Sequence, residues 1–321
     1  SIGSIVALMT PWEDPAILHR VWCIFEIHIA SAPGSRIDFA VVFPPDAENS
    51  FFGALSGSGM RKLFDMYSNV RVQSATATAK DDVENIMRLV DQGIESGAIQ
   101  TTHDGRDCYK AGEGYDTSAK CAELNGRVVK VVQDWFTNAA VLLTKDAIRT
   151  QSEHAMGAAS ATLTLLRQGF RERAETDIFN AAREMAAETG ATNTINYAGL
   201  LKSMGANFGY RGHYEESMTH FEKAEAAYVA AGATNTSSYA GLLTHMGANF
   251  TNRGHYEEGM THYKKAEAAY VAAGATNTSS YAGLLTHMGA NFTNRGHYEE
   301  GMTHYKKAEA AYVAAGATNT S

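Results

Sequence analysis

Residues 232–273 read GATNTSSYAGLLTHMGANFTNRGHYEEGMTHYKKAEAAYVAA, and residues 274–315 repeat this 42-residue unit without a change. Residues 190–231 are a further copy that differs at nine positions: Ile195, Asn196, Lys202, Ser203, Gly209, Tyr210, Ser217, Phe221 and Glu222. Self-similarity at this period marks an architecture of stacked modules, so the unit decides the fold. In the middle copy apolar residues recur at helical spacing through Tyr239, Leu242, Leu243, Met246 and Phe250, and again through Tyr256, Met260, Tyr263, Ala266 and Tyr270. The spacing predicts one helix over 236–252 and a second over 255–273, with Arg253 and Gly254 as the turn. Gly232 can end a hairpin, and Thr234, Asn235 and Thr236 are N-cap candidates for the next. One hairpin cannot bury both apolar stripes. Stacked hairpins bury both, and stability then becomes a sum of nearest-neighbour interfaces along a superhelix.

Upstream, residues 160–189 predict a degenerate copy, because Phe179 and Ala182 fall in frame with Phe221 and Ala224 one period later. The first 120 residues have another rhythm. Short apolar runs at Ser4–Thr10, Ile37–Phe43 and Val70–Ala75 alternate with helical patterns at Pro15–Ala30, Phe51–Tyr67 and Asp81–Glu95. Such alternation implies βαβ crossovers and a parallel sheet. Residues 101–119 read as a glycine-containing loop, and Ala122–Thr144 as a helix. The expected organisation is a partial α/β domain at 1–120, connecting helices at 121–159, and a degenerate repeat at 160–189. Repeats then occupy 190–231, 232–273 and 274–315, with 316–321 opening a further repeat or a tail. The expected fold class is an α/β N-terminal domain with a partial parallel sheet, followed by an all-α superhelix.

The spacing of Leu243, Gly247, Phe250, Gly254, Tyr256, Tyr263 and Ala266 resembles the tetratricopeptide repeat signature, and the 42-residue period is similar to the repeats of kinesin light chains and nephrocystin-like proteins. The resemblance covers 190–315. Two features depart from it. The small alanine early in the second helix is Gly259 here and Ser217 in the first copy, and a repeat-ending proline is missing near Val271. Glycine inside a helix costs about 1 kcal/mol relative to alanine, which implies modest stability per unit. The resemblance implies a concave groove lined by the first helices that receives partner peptides or helices. Projected onto this chain, the groove residues are Lys202, Ala206, Gly209 and Tyr210, then Thr244, Ala248, Thr251 and Asn252, then Thr286, Ala290, Thr293 and Asn294.

A second resemblance is local. Trp22-Cys23-Ile24-Phe25-Glu26, reached from a strand through Pro11-Trp12-Glu13-Asp14-Pro15, is similar to the segment of TIR domains whose glutamate serves NAD-glycohydrolase activity. It implies Glu26 as a catalytic carboxylate that holds the nicotinamide ribose and stabilises an oxocarbenium-like transition state, with NAD consumed. The alternative is that Glu26 flanks a buried stripe of Leu18, Trp22, Phe25 and Ile29 and is solvated or paired with Arg20 or His28.

Composition limits the other possibilities. With 45% hydrophobic and 19% charged residues the chain is ordinary globular material, and a net charge of −8 without a Lys/Arg cluster argues against nucleic-acid binding. Cys23, Cys108 and Cys121 lack zinc-ligand spacing and read as reduced thiols of a cytoplasmic protein. The apolar runs fall short of the roughly 20 residues that span a bilayer, so no membrane insertion is expected. Ser1 is not an initiator methionine and Ser321 falls inside a linker, so a fragment at both ends is expected. His245, His255 and His262 could be imagined around a metal, but two turns of helix, about 10 Å, separate the last two. Surface or cap histidines are expected instead, with no metal and no cofactor. Glu257 and Glu258 sit where negative charge favours a helix start. The expected function is a protein interaction scaffold that binds partner peptides or helices. The alternative is a TIR-like NAD-consuming signalling enzyme with the repeats as sensor or assembly module.

Overall fold

The computed structural model describes residues 4–8, 16–30, 38–42, 75–77, 86, 117–168 and 171–316. The chain divides between Leu142 and Leu143 into two compact units.

In the first unit, strand β1 (Ser4–Leu8) pairs in parallel with β2 (Asp38–Val42), Ser4 opposite Asp38 and Leu8 opposite Val42. Parallel neighbours need a crossover, and helix α1 (Val21–Ala30) lies in it. The helix expected as one piece from Pro15 is broken. A 3₁₀ turn covers Ala16–His19, and Arg20 bridges to Thr76, whose N–H donates to the His19 carbonyl at 2.8 Å while Val21 N–H donates back to Thr76 O at 3.1 Å. Restarting after the bridge rotates the buried face. Leu18, Val21, Ile24, Phe25 and Ile27 are buried, whereas Trp22 is exposed and Ile29 half-buried, against the stripe expected through both. The expected helices at 51–67 and 81–95, the strand at 70–75 and the loop at 101–119 lie outside the described residues, apart from buried Ala75 and Ile86 and from 117–119, which are helical and not loop. Helix α2 (Thr117–Arg149) is longer than the expected 122–144.

The second unit is an all-α, tetratricopeptide-like superhelix of hairpins. They are α3 (Ala155–Gln168) with α4 (Glu172–Glu188), α5 (Ile195–Tyr210) with α6 (Tyr214–Ala230), α7 (Ser237–Asn252) with α8 (Tyr256–Ala272), and α9 (Ser279–Asn294) with α10 (Tyr298–Ala314). Second helices start at Glu172, Tyr214, Tyr256 and Tyr298, in step with the sequence period, so α3–α4 is in frame with the copies. Its first helix begins at Ala155, ahead of Ser160. Of the three cap candidates the last is used: Thr194, Thr236 and Thr278 accept from the N–H of Tyr197, Tyr239 and Tyr281 at 3.2, 3.2 and 3.3 Å. Gly232 at φ 63° and Gly254 at φ 81° make the two reversals of the middle copy, which a residue with a Cβ would strain.

Within a hairpin the helices approach through small residues. A Cβ on Gly247 would lie 2.5 Å from Tyr263 Cε1, so the tyrosine ring, 1% exposed, fills the space that the glycine leaves. A Cβ on Gly259 would collide with Thr251 Oγ1 and lie 2.9 Å from the Gly247 carbonyl. The glycine expected to weaken the repeat is thus demanded by the crossing.

Between hairpins the same polar contacts recur. Buried Asn249 donates its amide to Tyr214 O at 2.9 Å, and buried Asn291 to Tyr256 O at 3.0 Å and Thr251 Oγ1 at 2.9 Å. Tyr239 OH donates to Glu225 at 3.0 Å and Tyr281 OH to Glu267 at 3.3 Å. Arg253 pairs with Glu215 at 3.9 Å and Arg295 with Glu257. The acids at the start of each second helix therefore serve the next repeat as well as their own helix dipole. Among the described residues no helix is long and apolar enough to cross a membrane.

Candidate peptide-binding groove

First helices touch one another across successive repeats, α3 with α5, α5 with α7 and α7 with α9, while second helices make no comparable contact with each other. The first helices thus form one continuous layer of the array, the wall of the candidate groove. Along α7 the open positions are Gly241, His245, Ala248 and Asn252, at the four-, three- and four-residue steps of one helix face. The same stripe is Gly283, His287, Ala290 and Asn294 on α9, and Gly199, Ser203, Ala206 and Tyr210 on α5.

Several residues expected in the groove lie on this stripe and others do not. Asn252, Asn294 and Tyr210 are exposed at the ends of their helices. Thr244 and Thr251 are each 7% exposed. Thr244 hands its hydroxyl proton to the Ala240 carbonyl at 3.0 Å, and Thr251 accepts from Asn291. Both sit one residue out of phase with the open face. Thr286 is exposed and bonded to Ala282 O at 3.1 Å, and Thr293 is half-buried, bonded to Gly289 O at 2.9 Å. His245 and His287, beside Thr244 and Thr286, lie on the open stripe.

The wall carries no carboxylate. Helices α3, α5, α7 and α9 contain no Asp or Glu, and their basic side chains are Arg167, Lys202, His245 and His287. Lys202 is half-buried, reaches the Ser238 carbonyl at 3.5 Å across the repeat junction, and has its pKa lowered by desolvation. His245 stacks on Phe221 with ring centroids 5.9 Å apart, and His287 on Tyr263 at 6.1 Å. Desolvation by the surrounding protein holds His245 below its ordinary pKa, and Lys202, His287 and Arg167 add to this. The ring still meets water, and solvent moderates the shift. At the upstream end the Arg167 guanidinium lies 5.4 Å over the Tyr210 ring, and Arg211 is held by Glu172 at 3.2 Å and fully buried Glu175 at 2.5 Å.

The other six histidines of the three copies flank phenylalanine rings. Phe250 has His255 at its edge, 6.4 Å away, and His262 stacked on its face at 5.2 Å, and Phe208 and Phe292 are flanked alike. Surface or cap roles hold for His255, which precedes α8 and lies 3.5 Å from Glu258, but His262 is half-buried. Among the described residues no group of three His, Cys, Asp or Glu side chains is placed to hold a metal. Glu26 is exposed on α1, beside Cys23, whose thiol is pushed up by burial and then by the Glu26 charge. Among the described residues it has no hydrogen-bond partner.

No family profile matches the chain, and no curated protein matches it. Solved structures do. BtubC (BKLC) from P. vanneervenii aligns over 63% of this chain and 85% of its own, at 13% identity and a TM-score of 0.49. A Podosopora anserina kinesin-light-chain-like protein of nearly identical TPR-like repeats aligns over 56% of this chain and 89% of its own, at 11% identity and 0.42. A variant of that protein aligns over 58% and 91%, at 11% identity and 0.43.

Proposed function

We propose that the repeat array is a non-enzymatic scaffold that holds an extended peptide or a helix of a partner protein along its first helices. The observation that carries this reading is the open stripe at 199–210, 241–252 and 283–294, repeated in register and free of carboxylates. A ligand lying across it meets a small residue, an imidazole or hydroxyl, an alanine, and an asparagine or tyrosine in each repeat, a surface with polar handles and little side-chain bulk. Lys202, Tyr210, Asn252 and Asn294 touch the partner in this reading, together with His245, His287, Thr286 and Thr293. Thr244 and Thr251 shape the wall from beneath. The test is photo-crosslinking from Ala248 and Ala290, followed by affinity measurements with the captured peptide on Tyr210→Ala and Asn252→Ala. The expected result is crosslinking at both alanines and at least tenfold weaker binding by both variants at unchanged helix content. Partners retained at full affinity by both variants overturn it.

A further inference from the structure

Lys202 stands where the next two copies have Thr244 and Thr286. The threonines keep their hydroxyls on their own helices, at the Ala240 and Ala282 carbonyls. The Lys202 side chain instead leaves α5, crosses the junction to α7 and brings its ammonium to the open stripe. A Cβ on Gly241 would lie 3.8 Å from Lys202 Nζ and 3.7 Å from Tyr270 OH. One junction later a Cβ on Gly283 would have Tyr312 OH at 3.9 Å and no cation beside it. The lysine therefore makes one position of the stripe cationic and leaves its equivalent neutral.

Among the described residues the ammonium has no ion pair, and its acceptor is the Ser238 carbonyl at 3.5 Å, the outer limit of a hydrogen bond. His245 lies one turn along from Gly241 on the same helix face, its exposed ring braced on Phe221 of α6. The charges that act on this ring are Lys202 on α5, His287 on α9 and Arg167 on α3, all basic, and neither α6 nor α8 supplies one. The acid that acts on Arg167, Glu175, is fully buried and already paired with Arg211. A half-buried cation without a counter-ion and an imidazole surrounded by positive charge both gain from a carboxylate that arrives between them.

We propose that the ligand of this groove, on the reading given above, is an acidic segment of the partner that seats an aspartate or glutamate carboxylate over Gly241 between Lys202 and His245, and that its binding carries a proton onto His245. The carboxylate accepts from the ammonium and is the first negative charge beside the ring, so the imidazole holds a proton more tightly in the complex than in the free chain. Linkage is reciprocal: the proton strengthens ligand binding by the same factor. Desolvation and the neighbouring positive charges keep the free ring neutral near pH 7. Affinity therefore rises as pH falls, down to the range near ~4.3 where the ligand's own glutamates take up protons. A neutral or basic segment gains nothing at this position. Thr244 and Thr286 replace the lysine at the later copies, so the acidic residue is fixed to one junction and sets the register of the ligand.

The experiment measures fluorescence anisotropy of a labelled dodecapeptide of alternating glutamate and alanine against the full chain between pH 8 and pH 5.5, beside the same peptide with glutamine for glutamate, and follows the His245 ring by NMR. Saturable binding of the glutamate peptide alone is expected, tightening about tenfold over that range, which is one pKa unit gained by one group. The peptide is expected to move the His245 titration to higher pH. Lys202→Thr, which installs the residue of the other copies, is expected to weaken binding about tenfold, the loss of one charged hydrogen bond. His245→Gln is expected to abolish the pH dependence and keep the preference for glutamate. Two peptides bound equally or not at all overturn the proposal, as does a glutamate peptide held as tightly by Lys202→Thr or with the same affinity at every pH. A phosphoserine peptide that binds far more tightly than the glutamate peptide and depends equally on Lys202 overturns it in favour of a phosphorylated partner. Neutral peptides crosslinked at Ala248 and Ala290 sink the acidic ligand and leave the groove standing, whereas acidic peptides that bind through Lys202 without crosslinking at either alanine sink the groove instead.

Discussion

Thr251 and Gly259 meet face to face where the helices of the middle copy cross, and in the first copy the same two positions are Gly209 and Ser217, a Cβ on Gly209 lying 3.0 Å from Ser217 Oγ. The pair has exchanged which side carries the bulk. In the degenerate copy these positions are Arg167 and Glu175, and the acid is taken up by Arg211 of the following repeat. Two of the nine differences between copies are thus one compensated packing event. Two more face neighbours of the divergent copy upstream: Ser203 shares a proton with Ser160 at 2.7 Å, and Tyr210 lies under Arg167.

Gly259→Ala tests the crossing against helix propensity. Propensity alone gives alanine an advantage of about 1 kcal/mol. Overpacking against Thr251 and the Gly247 carbonyl costs about 1–3 kcal/mol, so the variant is expected to be less stable. Thr251→Gly with Gly259→Ser, the first copy's combination, is expected to recover most of the loss. Urea denaturation of the three proteins decides this, and a Gly259→Ala more stable than the parent would show that the crossing is loose.

The hairpins were legible because their signals are local. A threonine cap, a glycine at positive φ and two apolar stripes place both helices of the middle copy within a residue of their observed ends. The phase of the open face was harder to read. Thr244 and His245 are both small or polar neighbours of a leucine pair, and which one faces outward depends on where the next repeat lies over Thr244. Likewise the role of Asn249 and Asn291 lies in the neighbouring hairpin, 35 residues back in sequence. In α1 the break at Arg20 comes from a backbone bridge to Thr76, which no local pattern announces.

Asn291→Ala leaves the Tyr256 carbonyl and Thr251 hydroxyl without their shared amide donor at a buried junction. Loss of such bonds costs about 1–3 kcal/mol. Hydrogen exchange should localise the effect, with faster exchange in α9–α10 than in α5–α6, as expected for nearest-neighbour coupling. Exchange quickened equally in both hairpins would show that the array melts as one block.

Arg211 and Arg253 occupy the same turn position but are expected to differ in importance. Arg211 is 13% exposed and holds Glu175, which is fully buried, whereas the partner of Arg253 is 87% exposed and 3.9 Å away. Arg211→Ala strands a buried charge, a change that costs about 3–5 kcal/mol. Arg253→Ala removes a surface pair and should alter stability by less than about 1 kcal/mol. Thermal and urea unfolding of the two variants provide the comparison, and equal losses would mean that Glu175 is reached by water.

Acid should loosen the array through its half-buried imidazoles. His220 is held below its ordinary pKa by desolvation, then by Lys223 and Arg183, and His262 by desolvation and Lys265, partly offset by Glu225. Their folded pKa values lie below the unfolded value near 6.5, so the unfolded chain binds more protons and stability rises with pH. This contribution is complete above pH ~6.5 and is lost progressively as pH falls below it toward the folded pKa values. The urea midpoint is therefore expected to drop between pH 7.5 and pH 5, and His262→Gln to flatten that slope while keeping contact with Phe250. A slope untouched by both His262→Gln and His220→Gln would show that acid loosens the array elsewhere.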